Sequence, residues 1–313
     1  MERHPVARMV NTGIFYLFKL VRWKNLLIAG FIQLFMRYGF TIPIGMVPAL
    51  DDVQFACGVC ATMLFMAAGY VVNDLSDIEA DKINKPEKMV VGIKISEMSA
   101  WKMYYVFNAV GLTISLFLCL VIQRLKYISI PLITVILLYI YATDFKRKPL
   151  IGNIIISLLA SLSIFTVLFF DIMPVISSSD LSAELRYFML LAYIFIAVFA
   201  FLTTLARELL KTLEDLEGDR AAGFRTTPVF LGEKKTSILT TVLVIFLMLF
   251  TVYLSVKINK LTLFLYTFIF LLVPWVLVVY FLFSNNKNRY SKAQNWMKFT
   301  MITGILSLVF LLQ

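Results

Sequence analysis

Apolar stretches close to the roughly 17 to 25 residues that cross a bilayer recur along the 313-residue chain, at about 26–42, 54–73, 101–122, 127–143, 151–170, 187–206, 236–256, 262–283 and 295–312. They predict nine transmembrane helices in an all-α integral membrane protein. Residues 5–22 are interrupted by Lys19 and Arg22, lack a small-residue cleavage site, and read as an amphipathic helix along the bilayer surface rather than a cleaved leader. Segment 1–24 is thus expected to be interfacial, and 1–313 a single polytopic domain without a soluble module. Most connections are short. Residues 171–186, with SSSD and Pro174, read as an ordinary polar connector, whereas 74–100 and 207–235 each follow an apolar run, open on acidic residues and then turn basic. Their similarity, four helices apart, suggests an internal pseudo-repeat.

Composition agrees with the hydropathy pattern. Hydrophobic residues make up 60% of the chain and charged residues 15%, with a mean hydropathy of +0.86, outside the range of soluble domains. With the N-terminus inside, twenty-three of the 29 Lys and Arg residues fall on inner segments. Only Arg37, Arg124, Lys126, Arg186, Lys257 and Lys260 fall on outer ones. This imbalance orients both acidic loops toward the cytoplasm. The net charge of +10 then reflects topology and attraction to anionic headgroups or substrates, not nucleic-acid binding. A single histidine, His4, excludes His-based metal sites and Ser-His catalysis. Cys57 and Cys60 form a CxxC inside an apolar run, and with Cys119 they are expected to be packed thiols.

Nine of the nineteen acidic residues lie in two stretches, NDLSDIEAD (Asn73 to Asp81) and ELLKTLEDLEGD (Glu208 to Asp219). If the second membrane helix continues through the first stretch, Asn73, Asp77 and Asp81 stack at successive turns with Asp74 beside them. Carboxylates about 6 Å apart repel by roughly 3 kcal/mol per pair at an effective dielectric near 20, so counter-charge is required. In the second stretch Glu208, Asp215 and Asp219 share a face with Lys211 between them. Carboxylates without imidazole or thiolate partners select a hard, oxygen-seeking ion. Mg²⁺ carrying a phosphate or diphosphate is the expected ligand, with neighbouring Lys and Arg meeting its remaining oxygens.

These residues resemble a known family. NDLSDIEADKINKP looks like the first Asp-rich motif, NDxxDxxxD, of the UbiA superfamily of intramembrane prenyltransferases, and DLEGD like its second, DxxxD. Arg22 and Asn25 in RWKN match an RxxN pattern on the first helix, and Tyr141 to Lys146 in YATDFKRKPLIGN resembles the Tyr/Lys motif on the fourth. The resemblance implies nine helices around a central cavity open to the cytoplasmic side and to lipid. It also implies Mg²⁺-dependent transfer of a prenyl group from an isoprenoid diphosphate donor to a lipophilic acceptor in the bilayer. By position, Asp74, Asp77 and Asp81 would hold one of two Mg²⁺ ions, with Asn73 on metal or diphosphate, and Asp215 and Asp219 the other. Asn25, Tyr141, Lys146 and Arg225 would contact the diphosphate.

Lys88 stands where the family often has Arg, Asp144 is unusual inside the Tyr/Lys motif, and Thr212 replaces a common Asp for which Glu208, one turn earlier, would compensate. The flavour of EDLEGDRAAGFRTTP and KRKPLIGN is nearest the branch that alkylates geranylgeranylglyceryl phosphate; aromatic acceptors of quinone biosynthesis are the alternative. A CDP-alcohol phosphatidyltransferase would need a Gly-Ala-Arg block absent here, and a transporter would place its acids near the bilayer midplane. No motif encodes an oligomeric state.

Overall fold

Helices begin where capping chemistry meets the apolar runs. A computed structural model describes residues 5–84, 86–177 and 181–312, which form helices and short connections with no β-strand among them. His4 and Lys85 lie outside the described residues, as does the side chain of Lys88. The chain packs as two units, 1–31 with 50–144 and 32–49 with 145–313.

In the first unit α1 (Pro5–Leu20) matches the predicted amphipathic segment. It buries Leu20 while Ile14, Phe15 and Phe18 stay exposed, an apolar face suited to lipid. Arg22, at φ 51°, turns the chain into α2 (Trp23–Leu34). Helix α3 (Asp52–Ser76) opens on a reciprocal cap, in which Asp51 accepts from Gln54 N at 2.8 Å and Gln54 Oε1 accepts from Asp51 N at 3.0 Å. Then follow α4 (Ile78–Asn84), α5 (Glu97–Val121) and α6 (Ser129–Thr143). Gly111 lets α5 approach α3, since a Cβ there would stand 2.7 Å from the Phe65 ring. Small residues at such crossings are how bilayer helices pack without a hydrophobic drive. Ala68, Val71, Val72 and Ile78 are buried against Met89, Val90 and Val91. That packed underside fixes the rotation of α3 and leaves Tyr70, Asn73, Asp74 and Asp77 on its other side.

The second unit comprises α7 (Ile151–Val167), α8 (Met173–Ile176), α9 (Ala183–Glu214), α10 (Leu216–Ala221) and α11 (Thr227–Leu231). It continues with α12 (Glu233–Ile258), α13 (Leu261–Thr267), α14 (Val273–Phe283), α15 (Arg289–Leu306) and α16 (Val309–Leu312). Ala206, Leu210 and Leu213 of α9 pack on Val244, Leu247 and a fully buried Trp275, whose indole N–H donates to Thr300 Oγ1 at 3.1 Å.

Among the described residues eight helices are long and apolar enough to span a bilayer, counting α7 with α8 and α13 with α14 as single spans. The ninth expected stretch, 295–312, falls on α15 and α16, which a turn at 307–308 separates; α15 carries Gln294, Asn295 and Lys298, which lower its hydropathy. π-helical turns at Phe35–Thr41, Leu168–Ile172 and Phe268–Leu272 widen three of the spans.

Two details depart from the sequence reading. Asp171, expected to begin a polar connector, is fully buried in a π-turn. Arg37, assigned to an outer segment, is 3% exposed and donates from Nη1 to both Asp171 oxygens, at 3.1 and 3.2 Å. A guanidinium inside an apolar span is tolerated because a carboxylate meets it. Of the cysteines Cys119 is buried and Cys57 intermediate, but Cys60 is exposed rather than packed.

Candidate active site

Both acidic motifs interrupt their helix, and they do so in the same way. Helix α3 stops at Ser76, Asp77 sits at φ −102°, ψ 1°, and α4 restarts at Ile78. Helix α9 stops at Glu214, Asp215 sits at φ −89°, ψ 5°, and α10 restarts at Leu216. In each case the next Asp of the motif closes the turn with its backbone. Asp81 N donates to Asp77 O at 2.7 Å, and Asp219 N to Asp215 O at 2.9 Å. The bridge region occupied by Asp77 and Asp215 is sparsely populated and holds many active-site residues. The continuous helix expected through Asp81 is therefore corrected to two helices hinged at Asp77, although the four-residue step survives. The short helices gain from the break, because Glu79 and Asp81 in α4, and Glu217 and Asp219 in α10, lie in the first turn, where the helix dipole favours negative charge. Asp215 occupies the N-cap position of α10 without its side chain capping that helix.

In the first unit α1 and α2 contribute to the motif. Arg22 Nη2 donates to Asp74 Oδ1 at 3.1 Å, and its guanidinium lies 4.7 Å from the Tyr70 ring centroid. Asn25 Nδ2 donates to Tyr70 OH at 3.1 Å, and Asn73 Nδ2 to Asp77 Oδ2 at 3.2 Å. Asn25, Asn73, Asp74, Asp77 and Asp81 are all half-buried. Arg22 and Tyr70 thus join the predicted set. The RxxN match already singled out Arg22, but its reach of 52 residues to Asp74 has no sequence signature. Tyr141 is half-buried near the end of α6, and Asp144, exposed, terminates that helix.

In the second unit Lys146 lies in the helical turn Phe145–Arg147. Arg225 N donates to Arg147 O at 3.1 Å, so the predicted Arg225 and the neighbour of the predicted Lys146 come from two loops tied by their backbones. Thr227 strengthens the tie: its Oγ1 accepts from Leu150 N at 2.9 Å and donates to Asn153 Oδ1 at 2.7 Å. Arg147 stacks 4.8 Å from the Phe224 ring centroid and exposed Arg225 5.6 Å from that of Phe230. Gly152 makes the close approach possible, since a Cβ there would stand 2.8 Å from both Lys146 Cα and Phe145 O. Gly152→Ala is expected to push the Lys146 turn aside, costing about 1–3 kcal/mol of stability and raising KM for a ligand of Lys146; thermal unfolding in detergent and steady-state kinetics check both. Thr212 Oγ1 donates to Leu209 O at 2.9 Å. Glu208, the expected compensating acid, is 5% exposed and paired with Arg207 Nη1 at 2.9 Å, so it neutralises its own neighbour.

Among the described residues no three His, Cys, Asp or Glu side chains converge to enclose a metal ion. Mg²⁺ seldom asks for that, taking one or two carboxylates and completing its shell with water and substrate phosphate oxygens. Half-buried Asp pairs with only oxygen donors nearby fit that habit.

The family model described as the UbiA prenyltransferase family matches residues 26–302. A digeranylgeranylglyceryl phosphate synthase of Sulfolobus acidocaldarius is 37% identical over 180 residues, 58% of this chain and 58% of that protein. That of Sulfurisphaera tokodaii is 30% identical over 283 residues, 90% of this chain and 92% of that protein. Among solved structures, one described as digeranylgeranylglyceryl phosphate synthase in membranes superposes with a TM-score of 0.64 at 24% identity, covering 95% of this chain and 97% of that one. A UbiA homolog from Archaeoglobus fulgidus bound to GPP and Mg²⁺ gives 0.55 at 18% identity, covering 94% and 99%.

Proposed function

The chain belongs to the UbiA prenyltransferase family, and we propose that it transfers a prenyl group from an isoprenoid diphosphate to the hydroxyl of geranylgeranylglyceryl phosphate within the membrane. The observation that carries the reading is the twofold helix break, which puts an Asp in the bridge conformation at the head of each DxxxD pair. The names of the relatives support the acceptor, and the GPP and Mg²⁺ held by the Archaeoglobus homolog support the donor class and the metal.

Two Mg²⁺ ions are proposed, one on Asp74, Asp77 and Asp81 and one on Asp215 and Asp219. Bound there, Mg²⁺ would supply positive charge to the diphosphate leaving group as the allylic C–O bond breaks. Asn25, Asn73, Tyr141, Lys146 and Arg225 would hold and orient the diphosphate. Lys146 and Arg225 would attract the leaving group more strongly as it becomes more negative, which lowers the barrier rather than merely improving binding. As that bond breaks, the acceptor hydroxyl oxygen bonds to the allylic carbon and gives its proton to water or to the released pyrophosphate. The basic loops point to a cytoplasmic opening in the cell membrane, with 1–313 working as one polytopic domain.

The test is product formation by purified protein in lipid nanodiscs, read by mass spectrometry with donors of several chain lengths and a panel of acceptors. Chelating divalent metal is expected to stop pyrophosphate release, and Mg²⁺ to restore it. Release that persists in excess chelator, or alkylation of hydroxybenzoate in preference to the glyceryl phosphate, would refute the metal or the acceptor assignment respectively.

A further inference from the structure

Where α9 packs on α15, charged side chains gather one turn before the second acidic motif. Arg207, Lys211 and Glu214 follow along one side of α9, and Gln294 and Lys298 along one side of α15. Gln294 Nε2 donates to Glu214 Oε2, holding the two helices in register. Glu208, buried beneath, takes Arg207 Nη1 on one oxygen, while Lys211 Nζ stands 3.9 Å from the other. The cationic needs of the seam are not met by these contacts. Arg207 Nε is buried without a hydrogen-bond partner. The Lys298 ammonium, exposed and in no ion pair among the described residues, is repelled by Arg207 and Lys211 and attracted by Glu214 and Glu208. Arg207, Lys211 and Lys298 thus gather around Glu208 and Glu214, and among the described residues Lys298 is the one of these cations with no ion pair.

We propose that this seam binds a lipid phosphomonoester, the headgroup of the prenyl acceptor, with Arg207, Lys211 and Lys298 as its donors. A phosphomonoester brings nearly two negative charges and three strong acceptor oxygens, matching one guanidinium and two ammonium groups. Lys211 and Asp215 are one helical turn apart, about 6 Å of rise, so an acceptor anchored here by its phosphate presents its glyceryl hydroxyl within a few ångströms of the second Asp motif. The assignment rests on the proposed prenyl transfer and gives it a basis for choosing a phosphorylated acceptor.

The test compares wild type, Lys298→Gln and Lys298→Arg in phosphatidylcholine nanodiscs, with geranylgeranylglyceryl phosphate and its dephosphorylated alcohol as acceptors. Lys298→Gln is expected to raise KM for the phosphorylated acceptor roughly 10- to 100-fold, the worth of one hydrogen bond between charged groups. The preference for phosphorylated over free alcohol should fall by the same factor, and Lys298→Arg should restore most of it. An unchanged acceptor KM, or an equal rise in donor KM, overturns the proposal. So does a response to added phosphatidylglycerol that Lys298→Gln abolishes while its acceptor KM stays at the wild-type value, because the seam would then serve a bilayer lipid. Native mass spectrometry of geranylgeranylglyceryl phosphate binding, without donor or metal, gives a readout separate from catalysis. Weaker binding to Lys298→Gln supports the seam even if no acceptor is alkylated, the outcome in which the proposed function itself fails; equal binding counts against the seam alone.

Discussion

Asp77→Ala and Asp215→Ala are each expected to lower prenyl transfer by about a hundred- to a thousandfold, the loss that follows removal of a group stabilising developing charge, with insertion and folding intact. Each Asp heads its motif at the helix break, and its backbone carbonyl, not its carboxylate, closes the turn with Asp81 or Asp219. The truncated side chains therefore leave the local backbone bonds in place. Removing one carboxylate from a half-buried acidic group also relieves repulsion, so stability should hold or rise slightly. Asp77→Asn sharpens the distinction, because an asparagine oxygen can still accept from Asn73 Nδ2, which now stands 3.2 Å from Asp77 Oδ2. If charge toward the metal is what Asp77 contributes, Asp77→Asn should be nearly as impaired as Asp77→Ala and need far more Mg²⁺. If Asp77 only fixes the helix break, Asp77→Asn should approach wild-type activity. Circular dichroism and size-exclusion profiles in detergent, beside the Mg²⁺ titration, separate the two.

Local chemistry was legible in the chain and long-range pairing was not. Carboxylates spaced by four at the ends of apolar runs are visible as text, and the amphipathic α1 was read with its bounds almost as found. The hinge at Asp77 escaped, since a helical i, i+4 pattern looks the same whether the helix is continuous or broken and restarted with its fourth-residue bond intact. The partnership of Arg22 with Asp74, and the seating of the 225 loop on the 147 loop, join residues far apart in sequence and leave no periodic trace. Sequence offers Glu208 as a stand-in ligand because it shows a carboxylate on the right face, but not that Arg207, next to it, turns back to claim it. The ninth span was read from apolar composition over 295–312. The structure places α15, a turn and α16 there, with Gln294 bonded to Glu214 of α9 and Thr300 to Trp275, pairings that composition does not show.

Arg37 and Asp171 carry the second large expectation. Arg37→Ala or Asp171→Ala alone should destabilise the protein by about 3–5 kcal/mol, the cost of leaving one member of a buried pair without the other. Asp171 is fully buried and Arg37 nearly so, which removes the water that makes surface pairs weak. The pair also organises its surroundings. Asp171 O accepts from Ala49 N at 2.8 Å, holding the chain that follows the π-turn Phe35–Thr41, and Thr41 Oγ1 lies 2.8 Å from the hydroxyl of fully buried Tyr193. Neither π-turn keeps ordinary α-helical bonding, so side chains and loop backbone take over part of the work of fixing this end of the unit. The double variant Arg37→Met with Asp171→Leu removes both charges and keeps much of the volume. It should lose less stability than either alanine variant, because buried ion pairs return little beyond the cost of dehydrating them. Thermal unfolding of wild type, Arg37→Met, Asp171→Leu and the double variant in one detergent forms a double-mutant cycle, with a coupling of several kcal/mol expected. Additive losses from the two single variants would mean that each side chain acts through separate neighbours, and that the carboxylate and guanidinium merely lie side by side.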